Sequence, residues 1–267
     1  MILYNLLLRH ICTEYPKDNL RKSAVVFSPH FDDETLGCGG TIIKKKRVGA
    51  DIKIVFMTDG SKSHRNLIAE NKLKEIRKSE ALAVIQLLGL GVKDVFFLDF
   101  EETKLELHIN SAVSKVTEIL LRQQPDEIFV PYHGEPTLWS LDHLATNGIV
   151  MSALQKYGKK VTVYEYPIWL WYRQPCLPMI NSPKKIFSSL KQNIVSLFNL
   201  LKDFRSSVYI GDVLKCKHEA LDQYKSQMSR FVPDSNWQTL ADISNGQFLK
   251  CFFQDYEVFS QTLLMGE

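Results

Sequence analysis

Short apolar runs and amphipathic stretches alternate along the first two thirds of the chain. "SAVVFS" (23–28) is apolar at nearly every position and stops at Pro29, the pattern of a strand buried on both faces. From Leu36 the spacing turns helical and continues to Gly49, before a second strand, "DIKIVFMT" (51–58), which ends at the turn pair Asp59-Gly60. Leu67, Leu73, Ile76, Ala81, Val84, Ile85 and Leu88 recur at helical spacing over 66–88, and Gly89 and Gly91 close that helix. Third, fourth and fifth strands are predicted at 94–100, 127–132 and 161–169, with helices at 110–123 and 142–157 between them. This alternation predicts an α/β fold, a Rossmann-like and mostly parallel sheet with helices on both faces.

The last third is less regular. Residues 183–204 place Ile186, Leu190, Ile194, Leu197, Phe198, Leu201 and Phe204 on one helical face opposite a lysine-rich one. A helix half-buried on the domain or on a partner subunit explains the pattern, and contact with a membrane surface is the sharper alternative. Residues 206–213 read as a returning edge strand and 217–228 as a further helix. The expected organisation is a single domain, with a core at about 23–170 and a helical C-terminal extension at about 180–267.

Composition narrows the function classes. With 33 basic and 30 acidic residues the charge is too balanced to indicate nucleic-acid binding. Five cysteines without a CxxC pair read as reduced thiols, which points to the cytoplasm. No apolar run approaches the roughly 20 residues of a membrane helix. The apolar start has no basic segment before it and reads as a short amphipathic helix, not a signal peptide.

Sites in parallel sheets lie beyond the carboxyl ends of the strands. The loops after the first, second and fourth strands hold "SPHFDDE", "TDGSKSH" and "PYHGEPTLWSLDH", and with them four of the seven histidines: His30, His64, His133 and His143. Three adjacent acids behind a histidine repel one another unless a cation lies among them. His30 and Asp33 suit zinc, and His143 from the second loop completes three ligands with one position open. Asp32 then faces the attacking water as general base, while the metal lowers that water's pKa toward about 7. Glu34 favours the start of the following helix. A helix cap alone needs one acid, not three. "GCGG" (37–40) lacks the spacing of a dinucleotide loop, and close helix–strand packing explains its glycines.

"PHFDDE" followed by "LGCGG" resembles the first motif of the PIG-L/LmbE-like deacetylases, and "TDGSKSH", "RKSEALAVIQLLG", "DHLATN" and "ALDQYKSQ" support the likeness over about 23–228. The resemblance implies a zinc-dependent hydrolase, with Fe²⁺ as the alternative metal, removing acetyl from an N-acetylglucosamine-type sugar or glycoconjugate. It makes His30, Asp33 and His143 the metal ligands and Asp32 the base. Two positions depart from the pattern. Phe31 stands where proline is usual, and Ser140 stands where relatives carry a second histidine that stabilises the intermediate or protonates the leaving amine. His133 and His64 are the candidates for that missing role. Arg77, Trp139 and Ser140 are expected against the substrate, with Arg77 either orienting it or pairing with Glu80 one turn on. A carbohydrate-binding or scaffold protein that has lost catalysis is the rival reading.

Overall fold

Both faces of the first strand are apolar because both are covered. The computed structural model describes residues 12–64, 66–136, 141–173, 202–231 and 236–266. In chain order the strands and α-helices are β1 (Thr13–Glu14), β2 (Ala24–Ser28), α1 (Asp33–Arg47), β3 (Ile52–Thr58), α2 (Glu70–Leu87), β4 (Val95–Phe100), α3 (Ile109–Gln123), β5 (Glu127–Pro131), α4 (Leu141–Tyr157), β6 (Val161–Tyr166), β7 (Phe204–Tyr209), α5 (Leu214–Leu221), α6 (Lys225–Met228), α7 (Gln247–Lys250) and β8 (Tyr256–Leu264). They form one sheet in the order β1-β7-β8-β6-β5-β2-β3-β4. The pleat sends Ala24, Val26, Ile52, Ile54 and Phe56 into the layer under α1, α2 and α5. Val25, Phe27, Val55 and Met57 enter the opposite layer, with the apolar residues of α3 and α4.

The five predicted strands of the core are β2 to β6, and they pair in parallel throughout. The chain runs outward from β2 through β3 to β4, then crosses back to place β5 on the other side of β2. The strand order therefore reverses at the carboxyl ends of β2 and β5, the switch point where ligands bind in open α/β sheets.

The C-terminal third departs from the helical expectation. Besides the expected strand, β7, it supplies β8, which runs antiparallel to both β6 and β7. The stretch at 206–213 is not an edge, since β7 lies between β1 and β8. The helix predicted at 217–228 is interrupted at 222–224 and becomes α5 and α6. Residues 1–11 and the amphipathic stretch to residue 201 lie outside the described residues. Helix α1 is fixed to this late part of the chain through a buried ion pair. Lys217 Nζ donates to Glu257 Oε1 and to the Leu36 carbonyl, each at 2.8 Å. Glu257 in turn accepts the backbone N–H groups of Gly40 and Thr41 at 2.8 Å. A buried pair with every lone pair engaged is tolerated, whereas removing one partner strands the other charge.

The glycines of "GCGG" are contact positions. A Cβ at Gly37 would enter the ring of Tyr166, and one at Gly40 would come within 2.6 Å of Ile210 Cγ2, whereas at Gly39 the nearest atom is the flexible Lys217 stem at 3.2 Å. Gly37→Ala is expected to lower stability by about 1–3 kcal/mol through overpacking. Gly39→Ala should cost less. Thermal or urea unfolding of the two variants tests the difference.

Candidate metal centre and active site

The turn from β2 into α1 carries the acids of "HFDDE", and each carboxylate has its own partners. Glu34 is fully buried and turns into the protein. Its Oε1 accepts from Thr35 Oγ1 (2.6 Å) and Tyr224 Oη (2.7 Å), and its Oε2 accepts the Asp32 N–H (3.1 Å). Phe31 also turns inward, onto Phe56 and Phe97, with ring centroids 4.8 and 5.9 Å away. Asp32 sits between them with φ of 117°, a left-handed conformation that an aspartate adopts only when its surroundings over-determine it.

Asp33 is where three elements meet. Its Oδ2 lies 3.3 Å from His30 Nδ1 and 3.2 Å from His143 Nε2, the latter brought in by the first turn of α4. One ligand atom from each of the three residues lies within 4.8 Å of the others. His143 is completely buried, and neither of its ring nitrogens makes a hydrogen bond to a described residue. Nε2 is close to Asp33 but is not aligned with it as a donor. A buried imidazole without a partner is costly. Two nitrogens and an oxygen converging on one point suit a divalent cation of the zinc type, so the residues fit the metal they were assigned.

The tautomer of His30 follows from its other neighbour. Nε2 is 3.0 Å from Asp142 Oδ2, and an ionised carboxylate only accepts, so Nε2 carries a proton, while Nδ1 faces Asp33 Oδ2, where a cation would take the place of a second proton. Asp142 is itself held by the N–H groups of Thr103 (2.7 Å) and Leu105 (3.3 Å). Burial opposes the imidazolium form of His30, yet Asp142 and Asp33 together push its pKa well above the ordinary value. The field that favours a proton there favours a metal cation equally.

Burial and the neighbouring Asp33 charge push the Asp32 carboxyl well above the usual range, while Arg77 opposes them. Arg77 is only 2% exposed. Its guanidinium donates to the Phe31 carbonyl at 2.7 Å and lies 3.8 Å from Asp32 and 3.5 Å from Glu102. It therefore grips the turn from beneath. Glu80 does not take it as an ion-pair partner but accepts the Ser226 N–H and hydroxyl at 2.8 and 2.6 Å.

The remaining predicted residues separate. His64 stacks on Trp237 with centroids 4.1 Å apart, and its nitrogens face Ser63 Oγ (3.0 Å) and the Gln238 carbonyl (2.8 Å). Burial lowers its pKa, so it packs as a neutral ring. His133 stands on the loop after β5 with its side chain 60% exposed. Trp139 and Ser140 lie outside the described residues.

Four residues near the site escape a reading of the motifs. Glu102, after β4, lies 3.8 Å from His30 Nε2. Glu135 is buried, accepts the Ile168 N–H at 2.5 Å, and has its pKa pushed up to about 8, chiefly by that burial. Glu165 on β6 and Asn147 on α4 are joined at 2.7 Å. The loop after the third predicted strand, which begins with the adjacent acids Glu101 and Glu102, was the available signal for Glu102. Glu165 and Asn147 offer none outside the fold.

Asp142→Ala is expected to weaken metal retention by about 10–100-fold by releasing His30. Competition with a chromophoric chelator measures it, and unchanged affinity would show that His30 is oriented without Asp142.

Residues 25–154 match the PIG-L family, described as GlcNAc-PI de-N-acetylases, which bears out the resemblance read from the motifs. Among curated proteins, a diacetylchitobiose deacetylase of Thermococcus kodakarensis is 25% identical over 149 residues, 52% of this chain and 53% of that protein. An uncharacterised deacetylase of Escherichia coli K12 is 28% identical over 155 residues, 57% of this chain and 78% of that protein. The chain thus spans about half the length of the first of these relatives. Among solved structures, the N,N'-diacetylchitobiose deacetylase of Pyrococcus horikoshii in complex with an inhibitor shares the fold, with a TM-score of 0.61, 20% identity, and coverage of 98% of this chain and 92% of that one.

Proposed function

From a PIG-L family domain over residues 25–154, we propose a metal-dependent N-deacetylase that hydrolyses the acetamide of an N-acetylated sugar or related glycoconjugate. The observation that carries this reading is the convergence of His30, Asp33 and His143 on one point, with Asp32 adjacent to a ligand and turned by a strained backbone. His30 through Nδ1, Asp33 through Oδ2 and His143 through Nε2 would hold the cation, zinc first and Fe²⁺ as the alternative. When bound, it would polarise the acetyl carbonyl and acidify water.

The protein's own groups supply the rest. Asp32 takes a proton from the attacking water as general base. Arg77 fixes the turn that carries Asp32 through the Phe31 carbonyl. Asp142 sets the His30 tautomer. Substrate enters at the switch point between β2 and β5. We read the chain as one domain whose C-terminal extension completes the sheet. Its four described cysteines are free thiols, which supports a cytoplasmic setting. No helix among the described residues is long and apolar enough to cross a membrane.

The rival, a carbohydrate-binding or scaffold protein without turnover, is motivated by Ser140. It predicts bound metal and no acetate. The deciding experiment is metal analysis together with acetate release over N-acetylated sugars presented free, as chito-oligosaccharides, nucleotide-linked and lipid-linked. Deacetylation abolished by a chelator and restored by zinc is the expected result. Asp32→Ala should keep the metal and lose about 10²–10⁴-fold in turnover. Full activity in that variant would remove Asp32 from the mechanism.

A further inference from the structure

We propose that His133 donates the proton to the departing amine and that Glu165, held by Asn147, is its positioning residue. This inference rests on the deacetylase reading above. The chain has Ser140 where relatives place a histidine for the leaving group, so a proton donor has to come from another position.

The structure builds a held imidazole at the same switch point. Glu165 leaves β6 with its carboxylate against His133 Nδ1, at 3.0 Å for Oε1 and 2.9 Å for Oε2. The same carboxylate faces the His133 backbone N–H at 3.3 Å. Asn147 Nδ2 donates to Glu165 Oε1 at 2.7 Å and to the Pro131 carbonyl at 2.8 Å. Asn147 is one helical turn beyond the ligand His143, about 6 Å along the axis of α4. One turn of one helix thus sets both the metal ligand and the carboxylate that orients His133. An ionised carboxylate on Nδ1 assigns the proton there and directs Nε2 outward. No described residue takes Nε2, and the side chain is 60% exposed. His64, the other candidate, has both nitrogens occupied and is packed under Trp237.

The surrounding charges favour the acid form. The hydrogen bond to Glu165 raises the His133 pKa first, burial opposes it, and the charges of Glu165 and Asp203 add to the rise. Tyr132, whose ring centroid is 4.6 Å from that of His133, donates its hydroxyl to Asp203. Those groups, on the loop after β5, on β6 and just ahead of β7, are what the ring meets. The step balances simply. Asp32 accepts one proton of water, whose oxygen bonds to the acetyl carbon. The amide C–N bond breaks with its electron pair on nitrogen, which takes the proton from His133 Nε2. The neutral imidazole regains a proton from solvent at its exposed edge.

Two measurements on the metal-loaded protein test this. In ¹⁵N-imidazole NMR titrations, His133 should titrate above the ordinary histidine range, and Glu165→Gln should lower that pKa. In acetate release from chito-oligosaccharides, the alkaline fall of kcat should move to lower pH in Glu165→Gln, because the acid form is lost earlier. His133→Asn, at an exposed position, should lose about 10²–10⁴-fold in kcat with KM and metal content nearly unchanged. Adding Glu165→Gln to His133→Asn should then cost nothing further. An ordinary His133 pKa overturns the proposal whatever the activity. So does full turnover in His133→Asn, or an equal loss from Glu165→Gln with and without His133, which would mark a structural role. Absence of acetate release by the wild type, with a raised and Glu165-dependent His133 pKa, would refute the deacetylase reading itself and the donor role with it.

Discussion

Three adjacent carboxylates have to be buried at the end of one strand, and the arrangement of the site follows from how their charges are answered. Water cannot answer them, because Asp32, Asp33 and Glu34 are all covered. Each therefore recruits a different part of the chain. Glu34 takes Tyr224 from beyond α5, Asp32 takes the guanidinium of α2, and Asp33 takes two imidazoles. The partners of Glu34 and Asp32 are fixed donors. The two imidazoles turn ring nitrogens toward a common point beside Asp33, and that residual need for positive charge suits the turn to a divalent cation, which an ordinary helix cap does not require.

The same logic extends outward by one layer. His30 is oriented by Asp142, which holds the proton on its far nitrogen, and Asp142 is held by backbone N–H groups of the loop after β4. Arg77 answers Asp32 and Glu102 together while also holding the Phe31 carbonyl. The charges are arranged in alternation, and Asp142, Glu102 and Arg77 are each fixed by backbone as well as by a side chain. Such a network keeps its geometry in the absence of solvent screening.

Much of this was legible in the residues. The core strands are largely apolar runs because a parallel sheet covered on both faces has no polar side, and β2, β3, β5 and β6 each end at or just before a Pro or Asp. The three residues that converge at Asp33 were readable because their chemistry sits in contiguous motifs at strand ends. The C-terminal strands were legible only in part. The strand read at 206–213 is β7, but its place inside the sheet was not readable, and β8, 46 residues further on, was missed, because both pair only with each other and with elements far away. Glu165 and Asn147 were hidden for a related reason. Alternation along "VTVYEY" does not say which face meets α4, and an asparagine in mid-helix has no signature until the helix is docked. Glu80 illustrates the limit of spacing arguments. One turn from Arg77, it nonetheless turns to Ser226, because a buried carboxylate follows the nearest unpaired donors and not the nearest opposite charge.

The clamp of Lys217 and Glu257 on helix α1 bears on how the molecule is assembled. Gly40 and Glu257 are joined across 217 residues of sequence. The helix that begins at the "HFDDE" turn is made well before the strand that closes on its flank. During synthesis the β2–α1 unit has to wait, with polar groups and apolar surface uncovered, until β8 has emerged. Such non-local closure slows folding and lengthens the exposure of intermediates to aggregation. The flank of the helix that carries Asp33 is consequently completed late in folding.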